Sequence, residues 1–321
     1  MWYASRRMVE TLYLIKPRGF CAGVVRAIDI VERALERFGA PIYVRKEIVH
    51  NPVVVNDLRG KGAVFVDTLD DVPSGSVVIF SAHGVAPGVY DKAEQRKLNV
   101  IDATCPLVTK VHYEARRFAR EGRTILLIGH EGHDEVIGTM GEAPAQMILV
   151  ENTRDVDRLG TIDPENTAFL TQTTLSVDDT RDIIEAIRER FPTIKAPGKE
   201  DICYATQNRQ EAVKAIAAKV DLVLVVGAAN SSNSLRLVEV ALQNGVTAHR
   251  IDHVSEIDDA WLEGVNAVAI TAGASTPERL VDEVAGFFKA RGTTRIEEFE
   301  TVAEHVVFPL PKQLEPVDST T

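Results

Sequence analysis

Three cysteines divide this 321-residue chain into similar segments, and a polar loop follows each of them at nearly the same interval. The cysteines are Cys21, Cys105 and Cys203. His50, His133 and Ser231 lie 29, 28 and 28 residues after them. Matched positions in three similar segments predict a pseudo-threefold protein whose thiols meet at the axis. Three thiolates at one point would form a metal site that lacks a fourth protein ligand.

The spacing of the cysteines distinguishes the metal sites that they could form. A structural zinc site usually contains a C-x2–4-C pair, and ferredoxin-type carriers use four cysteines, some of them close together. This chain has three cysteines and no such pair. Three isolated thiols would leave one iron of an iron–sulfur cubane open as a Lewis acid, while the cluster supplies electrons. The alternative is that all three are ordinary buried cysteines, and their matched positions argue against it.

The composition is that of an ordinary globular enzyme, with 45% hydrophobic and 26% charged residues. A net charge of −11 argues against binding to nucleic acid or to an anionic membrane. The cysteines are few and odd in number, which argues against a disulfide framework. No apolar run approaches the ~18 residues of a membrane helix. The basic start, residues 1–7, has no apolar stretch behind it, so we expect no secretory signal. These features together predict a cytoplasmic protein.

Runs of β-branched residues alternate with helical periodicity, which predicts an α/β fold with mainly parallel sheets covered on both faces. Strands are expected just before Cys21 and Cys105, at residues 12–15 and 99–101. We predict three similar lobes in a pseudo-threefold arrangement around a central iron–sulfur cluster, followed by a C-terminal tail. The predicted bounds are residues 11–104, 105–202, 203–300 and 301–321. The N-terminal strand could instead complete the sheet of the third lobe.

Polar side chains of modest size cluster in loops at the predicted carboxyl ends of strands, where open α/β sheets bind ligands. Hydroxyls, amides and imidazoles at such positions suit a phosphate or diphosphate. The candidates are His50, His83, His133, Thr173, Ser231, Ser232, Asn233 and Ser275.

Each of these side chains also has a simpler interpretation. Ser231, Ser232 or Asn233 could cap the helix that follows, and residues 275–278 have the pattern of a capping box. Glu135, two residues after His133, could be a general acid near a shielded cluster or a solvated surface carboxylate.

Six segments of the sequence resemble the 4-hydroxy-3-methylbut-2-enyl diphosphate reductase (LytB) family. The resemblance extends from about residue 12 to residue 311, and its motifs are long and occur in the family's order. The segments are PRGFCAGV (17–24), DATCP (102–106), GHEGH (129–133), TQTTLS (171–176), CYATQNRQ (203–210) and NSSNS (230–234).

The resemblance implies a reductive dehydration of (E)-4-hydroxy-3-methylbut-2-enyl diphosphate to isopentenyl and dimethylallyl diphosphate. This is the final step of the methylerythritol phosphate route to isoprenoids. The alternative is an iron–sulfur hydro-lyase that uses the open iron only as a Lewis acid, without net reduction.

The resemblance also implies roles for individual residues. The three cysteines would hold one 4Fe–4S cluster, whose open iron binds the substrate hydroxyl. Glu135 would be the proton donor, with relay through Thr173 and His133. A ferredoxin or flavodoxin-type protein would deliver the electrons. The substrate pocket would consist of His50, His83, His133, Thr173, Ser231, Ser232, Asn233 and Ser275.

Overall fold

The structure is a computed structural model that describes residues 9–314. The basic start at residues 1–7 and the predicted end of the tail, residues 315–321, lie outside this range. Twelve strands and ten α-helices occur within it. The strands are β1 (Thr11–Lys16), β2 (Ile42–Arg45), β3 (Ala63–Val66), β4 (Val77–Phe80), β5 (Asn99–Asp102), β6 (Thr124–Ile128), β7 (Met147–Val150), β8 (Thr167–Thr171), β9 (Leu222–Val226), β10 (Thr247–Ile251), β11 (Ala267–Ala272) and β12 (Arg295–Glu300). The helices are α1 (Ala22–Phe38), α2 (Pro52–Gly60), α3 (Pro87–Gln95), α4 (Pro106–Arg120), α5 (Asp134–Met140), α6 (Thr153–Arg158), α7 (Val177–Arg190), α8 (Tyr204–Ala217), α9 (Ser232–Gln243) and α10 (Glu278–Ala290).

The strands form three sheets, and all strand pairs in the described part of the chain are parallel. The first sheet has the order β10-β9-β11-β1-β12, the second β3-β2-β4-β5 and the third β7-β6-β8. α-Helices form most of the connections between successive strands of one sheet, whereas β3–β4 and β10–β11 are joined through short 3-10 helices. The predicted α/β class with three parallel-sheet lobes is therefore confirmed. The lobe boundaries and the arrangement around a cluster stay predictions.

The chain divides into two compact units. Among the described residues, one comprises residues 9–21, His50–Pro52 and Tyr204–Val306, and it contains the first sheet. The other comprises Ala22–Val49, Val53–Cys203 and residues 307–314, and it contains the second and third sheets. They are called the first and the second unit below. No helix between residues 9 and 314 is long and apolar enough to cross a membrane.

The core of the first unit forms where continuous apolar strands meet amphipathic helices. All five residues of β9 are buried, because β10 and β11 flank it and helices cover it. Val223 and Val225 of this strand pack with residues of α8 and α9, among them Val213 and Val240. Each such side chain contributes about 1.5–3 kcal/mol when it is removed from water.

The third sheet is covered on both faces, and successive residues of its strands enter different cores. Ile125 and Leu127 of β6 pack with Phe118 of α4 in one cluster. Leu126 and Ile128 pack with residues of α7 in another. This alternation explains why β6 is apolar at every position after its first residue.

The edge strand β12 is not predicted by the sequence. Its residues, RIEEFE, are mostly charged and partly exposed, so they lack the apolar run that indicates a strand. Pairing with β1 forms it, from Arg295 beside Thr11 to Glu300 beside Lys16. Charged residues are typical of edge strands, because they discourage pairing with other chains.

Each cysteine lies where the chain leaves one sheet and enters the helix that leads to the next. Cys21 follows β1 of the first sheet and precedes α1, and Cys105 follows β5 of the second sheet and precedes α4. Cys203 follows a segment in which Lys195 pairs with Ala168 of β8, and it precedes α8. The three crossovers between sheets therefore carry the three thiols.

Candidate functional site

The three cysteines have the surroundings expected of metal ligands. None of the three forms a disulfide, all are partly exposed, and each directly precedes the first residue of a helix. Cys105 is the N-cap of α4. The partial positive charge at a helix N-terminus attracts anionic groups, and the anionic thiolate is the form of cysteine that binds iron. Thiolates are also the usual ligands of iron–sulfur clusters, so these residues fit the cofactor that the sequence implies.

The backbone N–H of each cysteine donates to a carbonyl in a loop at the end of a strand. These loops follow β11, β4 and β8, and each loop belongs to the same unit as the cysteine whose N–H group it accepts. The N···O distances are 3.1 Å from Cys21 to Ala274, 2.9 Å from Cys105 to Ala82 and 2.9 Å from Cys203 to Thr173. The three loops carry the predicted site residues Ser275, His83 and Thr173. Each cysteine is thus fixed to a loop that bears a predicted substrate contact.

The carboxylate of Glu135 is buried against Thr173 in the second unit. Ile128 of β6 pairs with Thr171 of β8, so the loops that follow these two strands emerge side by side. Glu135 lies in the first turn of α5, after the β6 loop. The Thr173 backbone N–H donates to its Oε1 at 2.7 Å, and the Thr173 hydroxyl donates to its Oε2 at 3.0 Å. The predicted pair of Glu135 and Thr173 is therefore in direct contact.

Burial, and to a smaller extent the neighbouring carboxylate of Asp201, raises the pKa of Glu135, whereas both hydrogen bonds from Thr173 lower it. The net result is a pKa of about 7. A carboxylic acid with a pKa close to neutrality can hold a proton and release it to a substrate. This surrounding supports the interpretation of Glu135 as a general acid and excludes that of a solvated surface residue.

His133 caps the helix that carries Glu135. Its Nδ1 accepts a hydrogen bond from the Glu135 backbone N–H at 3.2 Å, so the neutral ring carries its proton on Nε2. The His83 ring lies edge-on to it, with 6.0 Å between the ring centroids. Two predicted substrate contacts, His83 and His133, therefore lie together in the second unit.

Asp201 and Lys110 support the Thr173 loop, and the sequence does not single them out. The buried Asp201 carboxylate accepts hydrogen bonds from the Thr171 backbone N–H, at 2.9 Å, and from the Lys110 ammonium group. Burial raises the pKa of Asp201 to about 6, against the lowering effect of Lys110. The position of Asp201 two residues before Cys203 is a signal that could have drawn attention to it.

The first unit contains the predicted donors at the start of α9. Ser231 is the N-cap, and its hydroxyl accepts a hydrogen bond from the Ser234 backbone N–H at 3.4 Å. Ser232 is the first residue of the helix. Asn233 is buried, and neither polar atom of its side-chain amide has a hydrogen-bond partner among residues 9–314. Because a buried unsatisfied group costs about 1–3 kcal/mol, a ligand that accepts from this amide would be favoured. Capping by Ser231 and anion binding use the same helix end.

Two glycines shape this helix start. β9 and β11 are neighbours in the first sheet, and Gly227 and Gly273 directly follow them. A Cβ atom on either glycine would overlap the hydroxyl of Ser234, which is fully buried. That hydroxyl bonds to the Ser231 hydroxyl at 3.1 Å. Glycine is therefore required at both strand ends for α9 to begin where it does, which the sequence alone does not reveal.

Ser275 joins a second predicted residue in the same unit. Its hydroxyl donates to the backbone carbonyl of His50 at 2.9 Å. The capping-box interpretation of residues 275–278 is wrong, because α10 begins after Pro277 and has no side-chain cap. Ser275 instead fixes the loop that carries His50.

The chain is similar to a known protein family along most of its length. The sequence profile of the family described as LytB protein matches residues 12–289. The chain belongs to the LytB family. A 4-hydroxy-3-methylbut-2-enyl diphosphate reductase of Bordetella pertussis is 59% identical over 301 residues, covering 94% of this chain and 93% of the relative. The reductase of Acidothermus cellulolyticus is 57% identical over 302 residues, covering 94% and 89% respectively.

Solved structures agree with this assignment. The E-1-hydroxy-2-methyl-but-2-enyl-4-diphosphate reductase from Plasmodium falciparum has a TM-score of 0.91 and 43% identity, covering 95% of this chain and 96% of that one. A structure of (E)-4-hydroxy-3-methyl-but-2-enyl diphosphate reductase, the terminal enzyme of the non-mevalonate pathway, has a TM-score of 0.62 and 32% identity. It covers 87% of this chain and 99% of that one.

The Gly273→Ala variant should weaken diphosphate binding. Its Cβ would displace Ser234 and with it the start of α9 that carries Asn233. Loss of one hydrogen bond to a charged ligand lowers affinity about tenfold or more. Titration calorimetry with inorganic diphosphate measures this. Gly286→Ala is the matched control, because a Cβ at Gly286 of α10 meets nothing within 4 Å. Equal affinities of Gly273→Ala and wild type would contradict the role of this glycine.

Proposed function

We propose that this LytB-family chain reduces (E)-4-hydroxy-3-methylbut-2-enyl diphosphate to isopentenyl diphosphate and dimethylallyl diphosphate. One observation supports the chemistry directly. The acid Glu135 is bonded twice to Thr173, and the carbonyl of that same threonine accepts the Cys203 N–H. A proton source and a candidate iron ligand are thus joined through one residue.

Cys21, Cys105 and Cys203 are the proposed ligands of one 4Fe–4S cluster. Three partly exposed thiols that form no disulfide, each at a helix N-terminus, support this assignment. When bound, such a cluster supplies electrons and, at an iron without a protein ligand, a Lewis-acidic position for an oxygen atom.

The proposed diphosphate contacts in the first unit are neutral donors. Ser231, Ser232 and Asn233 lie at the N-terminus of α9, where backbone N–H groups and the helix dipole favour an anion. Ser275 and His50 are tied to each other in that unit. Neutral donors in a water-excluded site bind an anion strongly, because water does not screen the interaction.

His83, His133 and Thr173 are the proposed substrate contacts of the second unit.

The reaction breaks the bond between carbon and the hydroxyl oxygen and consumes two electrons and two protons. One proton leaves with the hydroxyl as water, and the other is added to carbon in the product. Glu135 holds a proton for this purpose, and Thr173 and His133 orient its carboxyl group and the backbone beside it. A ferredoxin or flavodoxin-type protein is the proposed electron donor.

Replacement of Glu135 by glutamine tests the proposal. Glutamine keeps the shape of the side chain but cannot donate an acidic proton, so turnover should fall at least about a hundredfold. The assay is anaerobic conversion of the diphosphate substrate with a chemical reductant. Glu131→Gln is the matched control, since Glu131 lies exposed in the β6 loop just before α5 and should keep wild-type activity.

Two outcomes would overturn parts of this account. Full activity of Glu135→Gln would remove this residue from the mechanism. Loss of water from the substrate without any reductant would indicate the hydro-lyase instead.

The activity should decrease as the pH rises through about 7, because the protonated carboxyl of Glu135 is the proton donor. The same titration affects folding. The pKa of Glu135 is raised from 4.5 in the unfolded chain to about 7, so its neutral form stabilises the fold below pH 4.5 and this contribution is lost as the pH rises to about 7. The measurements are kcat/KM and urea unfolding against pH. Glu135→Gln should lack this part of the stability change, and an identical pH dependence in both proteins would contradict the assignment.

A further inference from the structure

Arg209 is a fully buried cation in the first unit, on the helix that follows Cys203. Its side chain is 0% exposed. Nη1 donates to the carbonyl of Ala205 at 2.8 Å, and Nη2 donates to the carbonyl of Gly19 at 2.8 Å. An isolated charge at such a depth would be costly, so it needs both hydrogen-bond acceptors and a counter-charge.

Gly19 lies two residues before Cys21, and the loop between them is held from two sides. The backbone N–H groups of Gly19 and Cys21 donate to the carbonyls of Ala272 and Ala274, at 3.3 and 3.1 Å. Arg209 binds the carbonyl of Gly19. Gly19 has a φ of +66°, a conformation that costs other residues energy, and a Cβ there would lie 3.1 Å from the Thr276 carbonyl. Arg209 is thus a side chain that fixes the carbonyl of a glycine next to a candidate ligand.

Glu304 supplies the counter-charge. It lies after β12, in a segment without helix or strand between Glu300 and Lys312. Its carboxylate accepts from Arg209 at 3.0 and 3.4 Å and from the side-chain amide of Asn208 at 3.0 Å. Its side chain is only 15% exposed. The sequence places this residue in a C-terminal tail, and it lies beyond the residues that match the family profile.

We propose that Arg209 and Glu304 are positioning residues for the iron–sulfur cluster, because they hold the Cys21 loop in its ligating conformation. The guanidinium group has a planar fork of donors, which lets it bind the glycine carbonyl and the carboxylate at once. Without Glu304 the cation would be uncompensated and would leave the glycine carbonyl. The segment after β12 thereby controls how firmly the cluster is retained. This inference rests on the proposed cluster at Cys21, Cys105 and Cys203.

Iron release from the reconstituted protein tests the inference. Glu304→Gln keeps the size of the side chain and removes its charge, and Arg209→Lys keeps the charge and loses the fork. Both variants should lose iron to a chelator about tenfold faster than wild type under anaerobic conditions, as expected for residues that orient a metal ligand. The rate is followed by absorbance, at a temperature at which each variant is folded by circular dichroism.

Two controls separate positioning from general destabilisation. Glu298→Gln removes an exposed carboxylate of β12 that pairs with Lys16, and this variant should release iron at the wild-type rate. Val240→Ala creates a cavity in the core of the same unit and lowers the unfolding midpoint, but it should stay within about twofold of the wild-type rate. If Glu304→Gln and Arg209→Lys release iron no faster than Val240→Ala, the two residues are merely structural and the inference is wrong. If the wild-type protein binds no cluster at all, both the proposed function and this inference are wrong.

Discussion

The hydrogen bond from each cysteine N–H to a strand-end carbonyl is the interaction on which the rest of the site depends. It recurs three times, at Cys21, Cys105 and Cys203. The cause is topological, since each thiol lies where the chain leaves one parallel sheet for the next. Each cysteine therefore lies beside a loop that follows a strand of the sheet that the chain leaves. Because parallel strands present ligand-binding loops at their carboxyl ends, one crossover serves two purposes. It ends at a helix N-terminus, and it fixes a loop that carries a proposed substrate contact.

The electrostatics of the site follow from burial as much as from charged partners. The pKa of Glu135 reaches about 7 because its carboxyl is buried, and Thr173 holds the group in place while opposing that rise. In the first unit the predicted anion site uses hydroxyls, an amide and a helix end. Asn233 illustrates the principle, because its buried amide has no hydrogen-bond partner in the part of the chain that the structure describes and is available to a ligand. Such a design suits a chain with a net charge of −11, which would not attract an anion at an open surface.

The sequence predicts the elements with strong local signals and misses those that long-range contacts create. The β-branched runs of β6 and β9 are strands because both of their faces are buried, so their patterns are unambiguous. The charged strand β12 exists only through pairing with β1. The site shows the same division. Cysteine spacing and polar loops identify candidate ligands, whereas Asp201 and Glu304 act through partners 30 and 95 residues away. Nearness to Cys203 is the one local signal for Asp201, and no local pattern distinguishes Glu304 from a surface carboxylate.

The central claim is tested most directly by the iron and sulfide content of the anaerobically reconstituted protein. The wild type is compared with the single variants Cys21→Ser, Cys105→Ser and Cys203→Ser. Three crossovers that deliver one ligand each predict about four iron and four sulfide per wild-type chain. They also predict that every single substitution lowers this content sharply. A full complement of iron and sulfide in any one of the three variants would contradict the account, because that cysteine would not be a ligand.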